Sequence, residues 1–260
     1  MRVIQFDEER QGANYWDLNL IKWVVEQVED TTGVYIVPGA YQEYYVEQVN
    51  EVLAELPYAL VLVTSDEENH FPIYDLAHPN MTIWQQYGFK GAAADRLIPI
   101  GAPRNDFTPA VKSIDWCFSG QVFHPSRGEL MEAMQDVPGG YLLSSGGFTL
   151  GLEQAEYRDL MGRTRVALCP GGVNSPDSFR LYEALESGCI PIVDDREFFT
   201  AMFGEFPFPC VDSWSEAPAL IQLCKSDRSL AGDCFAWWHD HRWRMVSDLK
   251  EDLWNLRSQS

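Results

Sequence analysis

The chain predicts an α/β protein built from two doubly wound parallel sheets, and three observations carry that reading. Short β-rich runs alternate with segments of helical period along most of the chain. The strand-like runs are continuously apolar, as strands are when helices cover both faces of a parallel sheet. One stretch rich in Gly, Pro, Asn and Asp, from Gly101 to Pro109, breaks the alternation, which then restarts.

Taken in order, Val3–Phe6 reads as a strand, Trp16–Val28 as a helix, Val34–Val37 as a strand, Tyr41–Leu56 as a helix and Ala59–Thr64 as a strand. Thr82–Trp84 and Leu97–Ile100 extend this sheet. A domain boundary in the Gly101–Pro109 stretch gives residues 1–108 and 109–260. The second domain runs strand Ile114–Phe118, helix near Arg127–Gln135, strand Tyr141–Ser144, helix near Glu153–Met161, strand Val166–Cys169, helix Ser178–Ser187 and strand Ile190–Val193. Beyond it, Asp227–Leu256 sets Trp237, Trp238, Trp243, Leu249, Leu253 and Leu256 among many charges, the pattern of a long amphipathic helix packing back across a surface.

The 260 residues suffice to bury a core of roughly 70–75% of the unfolded surface. With 46% hydrophobic and 22% charged residues the composition is that of a globular protein, which excludes disorder and fibrous architectures. The formal charge of −20 disfavours nucleic acid as a partner unless basic residues gather locally. Acidic clusters such as Asp66-Glu67-Glu68, Asp194-Asp195 and Glu251-Asp252 are spread along the chain and read as solvated surface. Six cysteines without a Cys-x-x-Cys pair, half of them in or beside apolar runs, read as reduced buried thiols. The N-terminus turns acidic too early for a signal peptide and no long apolar run occurs, so a cytoplasmic protein without a membrane span is expected.

The segment Arg165-Val166-Ala167-Leu168-Cys169-Pro170-Gly171-Gly172, followed by Ser178 and a helical run, lays out as strand, Gly-rich loop and helix N-terminus. A loop opening into a helix start offers amide groups and a positive dipole to phosphate. Arg180 and Glu183 lie three apart and share a helix face. An arginine can fork onto phosphate oxygens while a carboxylate accepts from ribose hydroxyls, together the description of a nucleoside diphosphate. The plainer reading is an Arg180–Glu183 ion pair, and spacing alone favours it.

Leu168-Cys169-Pro170-Gly171-Gly172, Ser178-x-Arg180-x-x-Glu183-Ala184-Leu185 and Gly188-Cys189-Ile190-Pro191-Ile192 resemble, in order, the donor-binding signature of exostosin-type glycosyltransferases. Trp116-Cys117-Phe118-Ser119-Gly120 with Arg127 is similar to the strand, glycine and arginine that open that family's donor domain. The close resemblance spans about residues 114–195. It implies the GT-B architecture, two Rossmann-like domains facing a cleft, and a nucleotide-sugar co-substrate, a UDP-sugar first, with no metal or other cofactor. Gly120, Arg127, Ser178 and Arg180 would surround the diphosphate and Glu183 the ribose. It also implies inverting transfer to an acceptor hydroxyl, a glycan or other saccharide first. The given residues are fewer than in typical members of that family, and a membrane anchor like that of its Golgi-resident relatives is not expected.

An inverting transfer needs a base on the acceptor hydroxyl. Asp66 and Glu67, directly after the strand Ala59–Val63, are the candidates, ahead of His70, His78 and His124; an acid-rich helix start is the competing account. Three alternatives stay open: a nucleotide-sugar binding protein without transfer activity, a glycoside hydrolase with two opposed carboxylates, and a phage-type transferase acting on modified DNA bases. The last would need Lys90, Arg96, Arg104 and Lys112 to form a basic rim.

Overall fold

Ala59–Thr64 is buried at every position. A run covered on both sides is what a central parallel strand requires. The computed structural model describes residues 2–3, 17–39, 45–88, 93–147 and 150–260. The chain divides into two compact units, Met1–Pro103 with His241–Ser260, and Arg104–Asp240.

The first unit carries β1 (Arg2–Val3), α1 (Leu18–Glu26), β2 (Val34–Pro38), α2 (Val46–Ala54), β3 (Ala59–Thr64), β4 (Met81–Gln85) and β5 (Arg96–Leu97). The five strands are parallel and lie in chain order, β1-β2-β3-β4-β5. Leu18, Ile21, Val24 and Val25 form the buried stripe of α1, at helical spacing. Residues 4–6, 16 and 41–44, parts of the first strand and first two helices expected from sequence, fall outside the described residues. β5 is shorter than the expected Leu97–Ile100 strand, although Ile98 and Ile100 are buried.

The second unit carries β6 (Ile114–Gln121), α3 (Pro125–Met134), β7 (Gly140–Ser145), α4 (Gln154–Arg163), β8 (Thr164–Leu168), α5 (Phe179–Glu186), β9 (Ile190–Ile192), α6 (Arg196–Phe203) and α7 (Ala217–Ser226). On one face Trp116, Phe118, Val166, Leu168 and Ile190 pack against Leu130 and Met134 of α3 and Ile221 of α7. On the other, the thiols of Cys117 and Cys189 meet Met161 of α4. Helices thus cover both faces, the doubly wound arrangement. Its parallel strands run β7-β6-β8-β9. From β6 the chain moves to one side to make β7, then returns to the other side for β8. The strand order therefore reverses between β6 and β8, and the first sheet has no such reversal.

α6 and α7 are additions to the sequence reading. The start of α6 is marked by Asp195, which accepts from the Phe198 amide at 2.8 Å, and its end by Gly204 with φ 69°. The expected amphipathic tail is α8 (Leu230–Ser258), opened by Asp227, whose Oδ1 accepts from the Ser229 and Leu230 amides. Its residues through Asp240 group with the second unit and those from His241 with the first. The division thus falls at Pro103/Arg104 rather than at 108/109, and it returns the last stretch of chain to the first unit. There Asp252 takes two hydrogen bonds from Arg96, at 2.8 and 3.0 Å, and one from Trp84 Nε1 at 2.8 Å. No helix among the described residues is long and apolar enough to cross a membrane.

Candidate functional site

In open α/β sheets a ligand crevice forms outside the carboxyl ends of the strands where strand order reverses. In the second unit that point lies between the ends of β6 and β8, and the sequence motifs converge on it. β6 ends in Ser119, Gly120 and Gln121. β8 runs into the loop Cys169–Ser178, which closes on itself through Gly172 N–H to the Ser175 carbonyl at 2.7 Å. Asp194, just past β9, accepts from the Gly171 amide at 3.0 Å and from Trp214 Nε1 at 3.2 Å. Asp195 caps α6. Both acids of a pair read from sequence as solvated surface are therefore fixing backbone.

Arg180 occupies the first turn of α5, and one of its Nη atoms donates to the Ser119 carbonyl at 3.0 Å. Its guanidinium lies 4.9 Å over the Phe118 ring. A Cβ on Gly120 would collide with that guanidinium, so only glycine lets arginine and strand end approach this closely. Arg180 Nε is buried and has no hydrogen-bond partner among the described residues. A buried charged donor left unpaired is costly, which makes it a candidate grip for an anion. Ser178 stands at the N-cap of α5, yet its hydroxyl reaches back to the Pro170 carbonyl at 3.4 Å instead of capping the helix.

Glu183, one turn on, is buried. It makes no ion pair or hydrogen bond with Arg180; its Oε2 accepts from the Tyr157 hydroxyl of α4 at 2.8 Å. The plainer expectation, an Arg180–Glu183 ion pair, is thus not what forms. Burial pushes the Glu183 carboxyl above its ordinary value, while the Tyr157 hydrogen bond and the Arg180 charge pull it back and Asp106 adds to the rise. Burial, reinforced by the Glu183 charge, holds the Tyr157 hydroxyl well above its ordinary value, so tyrosine is the donor in this pair.

Arg127, expected beside a pyrophosphate, has its guanidinium on backbone carbonyls. It is buried, with Nε and one Nη on the Gly171 carbonyl at 3.0 and 2.7 Å and the other Nη on the Gln121 carbonyl at 3.2 Å. As placed, it ties the start of α3 to the loop after β8. Tyr157 and Asp194 escaped the sequence reading. Tyr157 is far from Glu183 in sequence, and Asp194 is hidden in an acidic pair.

In the first unit the candidate bases part company. Asp66 is fully buried, and its two oxygens accept from the His70 and Phe71 amides at 2.9 and 3.0 Å. That is the geometry of a loop anchor at a residue expected to serve as the acceptor's base. Glu67 is partly exposed, and Glu68 pairs with His70 at 3.4 Å. His78 is held between the carbonyls of Leu56 and Asn80, and His124 caps α3. Beside this loop is Asp17, buried, with Ser65 Oγ donating to its Oδ1 at 2.8 Å, and burial raises its pKa. Ser65 and Asn69 in this loop, and Tyr87 after β4, all adopt positive φ, 58°, 53° and 57°. Of the basic residues a DNA-binding rim would need, Arg96 is paired with Asp248 and Asp252, Lys112 Nζ donates to the Gly162 and Ser187 carbonyls, and Lys90 lies outside the described residues. Among the described residues no group of three His, Cys, Asp or Glu could hold a metal ion.

Residues 152–245 match the model of the family described as the RXYLT1 C-terminal domain, an exostosin-like glycosyltransferase family. The matched stretch contains Tyr157, Arg180, Glu183 and Asp194 and stops short of Gly120 and Arg127. Among solved structures the chain is similar to AviGT4, a glycosyltransferase involved in avilamycin A biosynthesis, with TM-score 0.64, 11% identity, and 100% of this chain and 98% of that one covered. It is also similar to the DNA-modifying enzyme β-glucosyltransferase, whose substrate is uridine diphosphoglucose, with TM-score 0.52, 12% identity, and 99% and 100% covered. At these identities the likeness is one of fold, the GT-B fold. No curated protein sequence matches the chain.

Proposed function

We propose that this chain, a glycosyltransferase by its family match and the fold it shares, moves a sugar from a nucleotide-sugar, a UDP-sugar first, to an acceptor hydroxyl without a metal. The observation that carries the donor site is the separation of Arg180 from Glu183. A cation whose buried Nε has no hydrogen-bond partner among the described residues, and a carboxylate whose hydrogen bond among them comes from a tyrosine, stand one turn apart at the switch point of a parallel sheet. Arg180 and the amides of the α5 N-terminus meet the diphosphate, Glu183 accepts from the ribose, and Arg127 and Asp194 hold the Gly-rich loop in place.

In this reading a carboxylate takes the proton of the acceptor hydroxyl, and the oxygen bonds to the anomeric carbon from the face opposite the nucleotide. The bond to the diphosphate breaks with its electron pair, and Arg180 stabilises the leaving charge. Glu67 is the preferred base because Asp66 would have to release two backbone amides to act. A saccharide acceptor is favoured over DNA, since Arg96 and Lys112 are already engaged. A cytoplasmic setting is favoured by six free cysteines, five of them buried.

The test is thermal stabilisation by UDP, GDP, ADP and their sugar conjugates without metal, run on the native protein and on Arg180→Ala. A ligand that binds only the folded state at a hundred times its Kd stabilises by about 2.7 kcal/mol. A shift lost in Arg180→Ala supports the donor site, and no shift with any donor defeats it. A protein that binds but does not transfer would keep the shift and show no turnover with any acceptor, whatever stands at position 67.

A further inference from the structure

We infer that Tyr157 is a positioning residue that makes the donor site select ribose over 2′-deoxyribose; this rests on the donor-site reading above. A carboxylate that accepts from a sugar diol does so well only if its plane is fixed beforehand, because a rotating carboxylate must lose that freedom on binding. Here the plane is fixed from another helix. Tyr157 donates to Glu183 Oε2 at 2.8 Å, and Oε1 accepts no hydrogen bond from the described residues. One oxygen is held and the other is left for a hydroxyl.

Tyr157 is itself held. Its ring meets the edge of Phe107 with centroids 6.1 Å apart. Its amide bonds to the Glu153 carbonyl at 2.9 Å, inside a helix start closed by reciprocal Glu153 and Glu156 capping. A site built in this way rejects a ligand lacking the hydroxyl, because the analogue leaves a buried acceptor unpaired.

Tyr157 also sets the pH range of the site. The groups that act on Glu183 are Tyr157 on α4, Arg180 on its own helix and Asp106 before β6, while its own charge is felt by the buried thiols of Cys117 on β6 and Cys169 after β8. Removing the tyrosine hydroxyl removes a hydrogen bond that favours the ionised carboxylate, so Glu183 takes up its proton at higher pH.

The experiment compares UDP, GDP and ADP with their 2′-deoxy counterparts by calorimetry across pH, on the native protein, Tyr157→Phe and Glu183→Gln. The native protein should prefer the ribonucleotide by about tenfold or more. In Tyr157→Phe the preference should fall severalfold, chiefly through weaker ribonucleotide binding, and acid loss of binding should begin at higher pH. Glu183→Gln should lose that acid dependence, which keeps the inference testable if Tyr157→Phe folds poorly. A native protein that binds without ribose preference, or a Tyr157→Phe variant with unchanged preference and pH profile, overturns the inference and leaves the donor site standing. Failure of every nucleotide to bind the native protein overturns both.

Discussion

Arg180 and Glu183 share one face of α5, and each turns to a different partner, the Ser119 carbonyl for one and the Tyr157 hydroxyl for the other. Whether two such residues pair with each other is not set by their spacing. That depends on Tyr157, which only the folding of α4 against α5 brings within 2.8 Å of Glu183. Three outcomes belong at this scale. Arg180→Ala should weaken nucleoside diphosphate binding about tenfold to a hundredfold by calorimetry, the worth of a charge-assisted hydrogen bond. Gly120→Ala should act on the same property with a smaller effect on stability, since its methyl displaces the Arg180 guanidinium. Glu183→Gln tests a conflict between stability and binding. A carboxyl whose pKa is raised on folding supports the fold fully below its unfolded value of 4.5, and that support is lost as pH rises through the folded value. Above the folded value the ionised group therefore opposes folding, so Glu183→Gln should raise the melting midpoint more at alkaline than at acid pH while weakening nucleotide binding.

At the scale of elements, strands and amphipathic helices were readable because burial imposes periodicity: β3 and α8 fall where the apolar pattern puts them. α6 and α7 were missed because their signals are end signals, Asp195 and Gly204 for one and Pro218 for the other, in a stretch with many Phe and Pro. The acidic clusters misled for a related reason. Composition counts charges but does not say which way they point, and Asp66, Asp194 and Asp252 each turn to amides, indoles or arginine. Asp66→Ala should accordingly cost about 2–4 kcal/mol by chemical denaturation, because two backbone amides, that of Phe71 buried, lose a charged acceptor. A variant as stable as the native chain but inactive would restore Asp66 as the base. The turn from α5 to β9 was legible too: Gly188 has φ 64° and a Cβ there would lie 3.1 Å from Pro109, so Gly188→Ala should cost about 1 kcal/mol or more.

For the molecule as a whole, two parallel α/β units were readable from alternation, but their membership was not. A linker signal such as Gly101–Pro109 marks where the chain leaves a unit, and nothing in composition marks where it returns. The return is encoded in contacts. Asp252 engages Arg96 and Trp84, and Arg257 pairs with Asp30 at 3.1 Å, while Leu249, Leu253 and Leu256 are buried. The first unit is therefore assembled from two separate stretches of chain, Met1–Pro103 and His241–Ser260, and the second from one continuous stretch. During synthesis the residues of the second unit are therefore made between the two stretches that form the first. The unit begun first thus receives Leu249, Leu253 and Leu256 only after every residue of the second has been made.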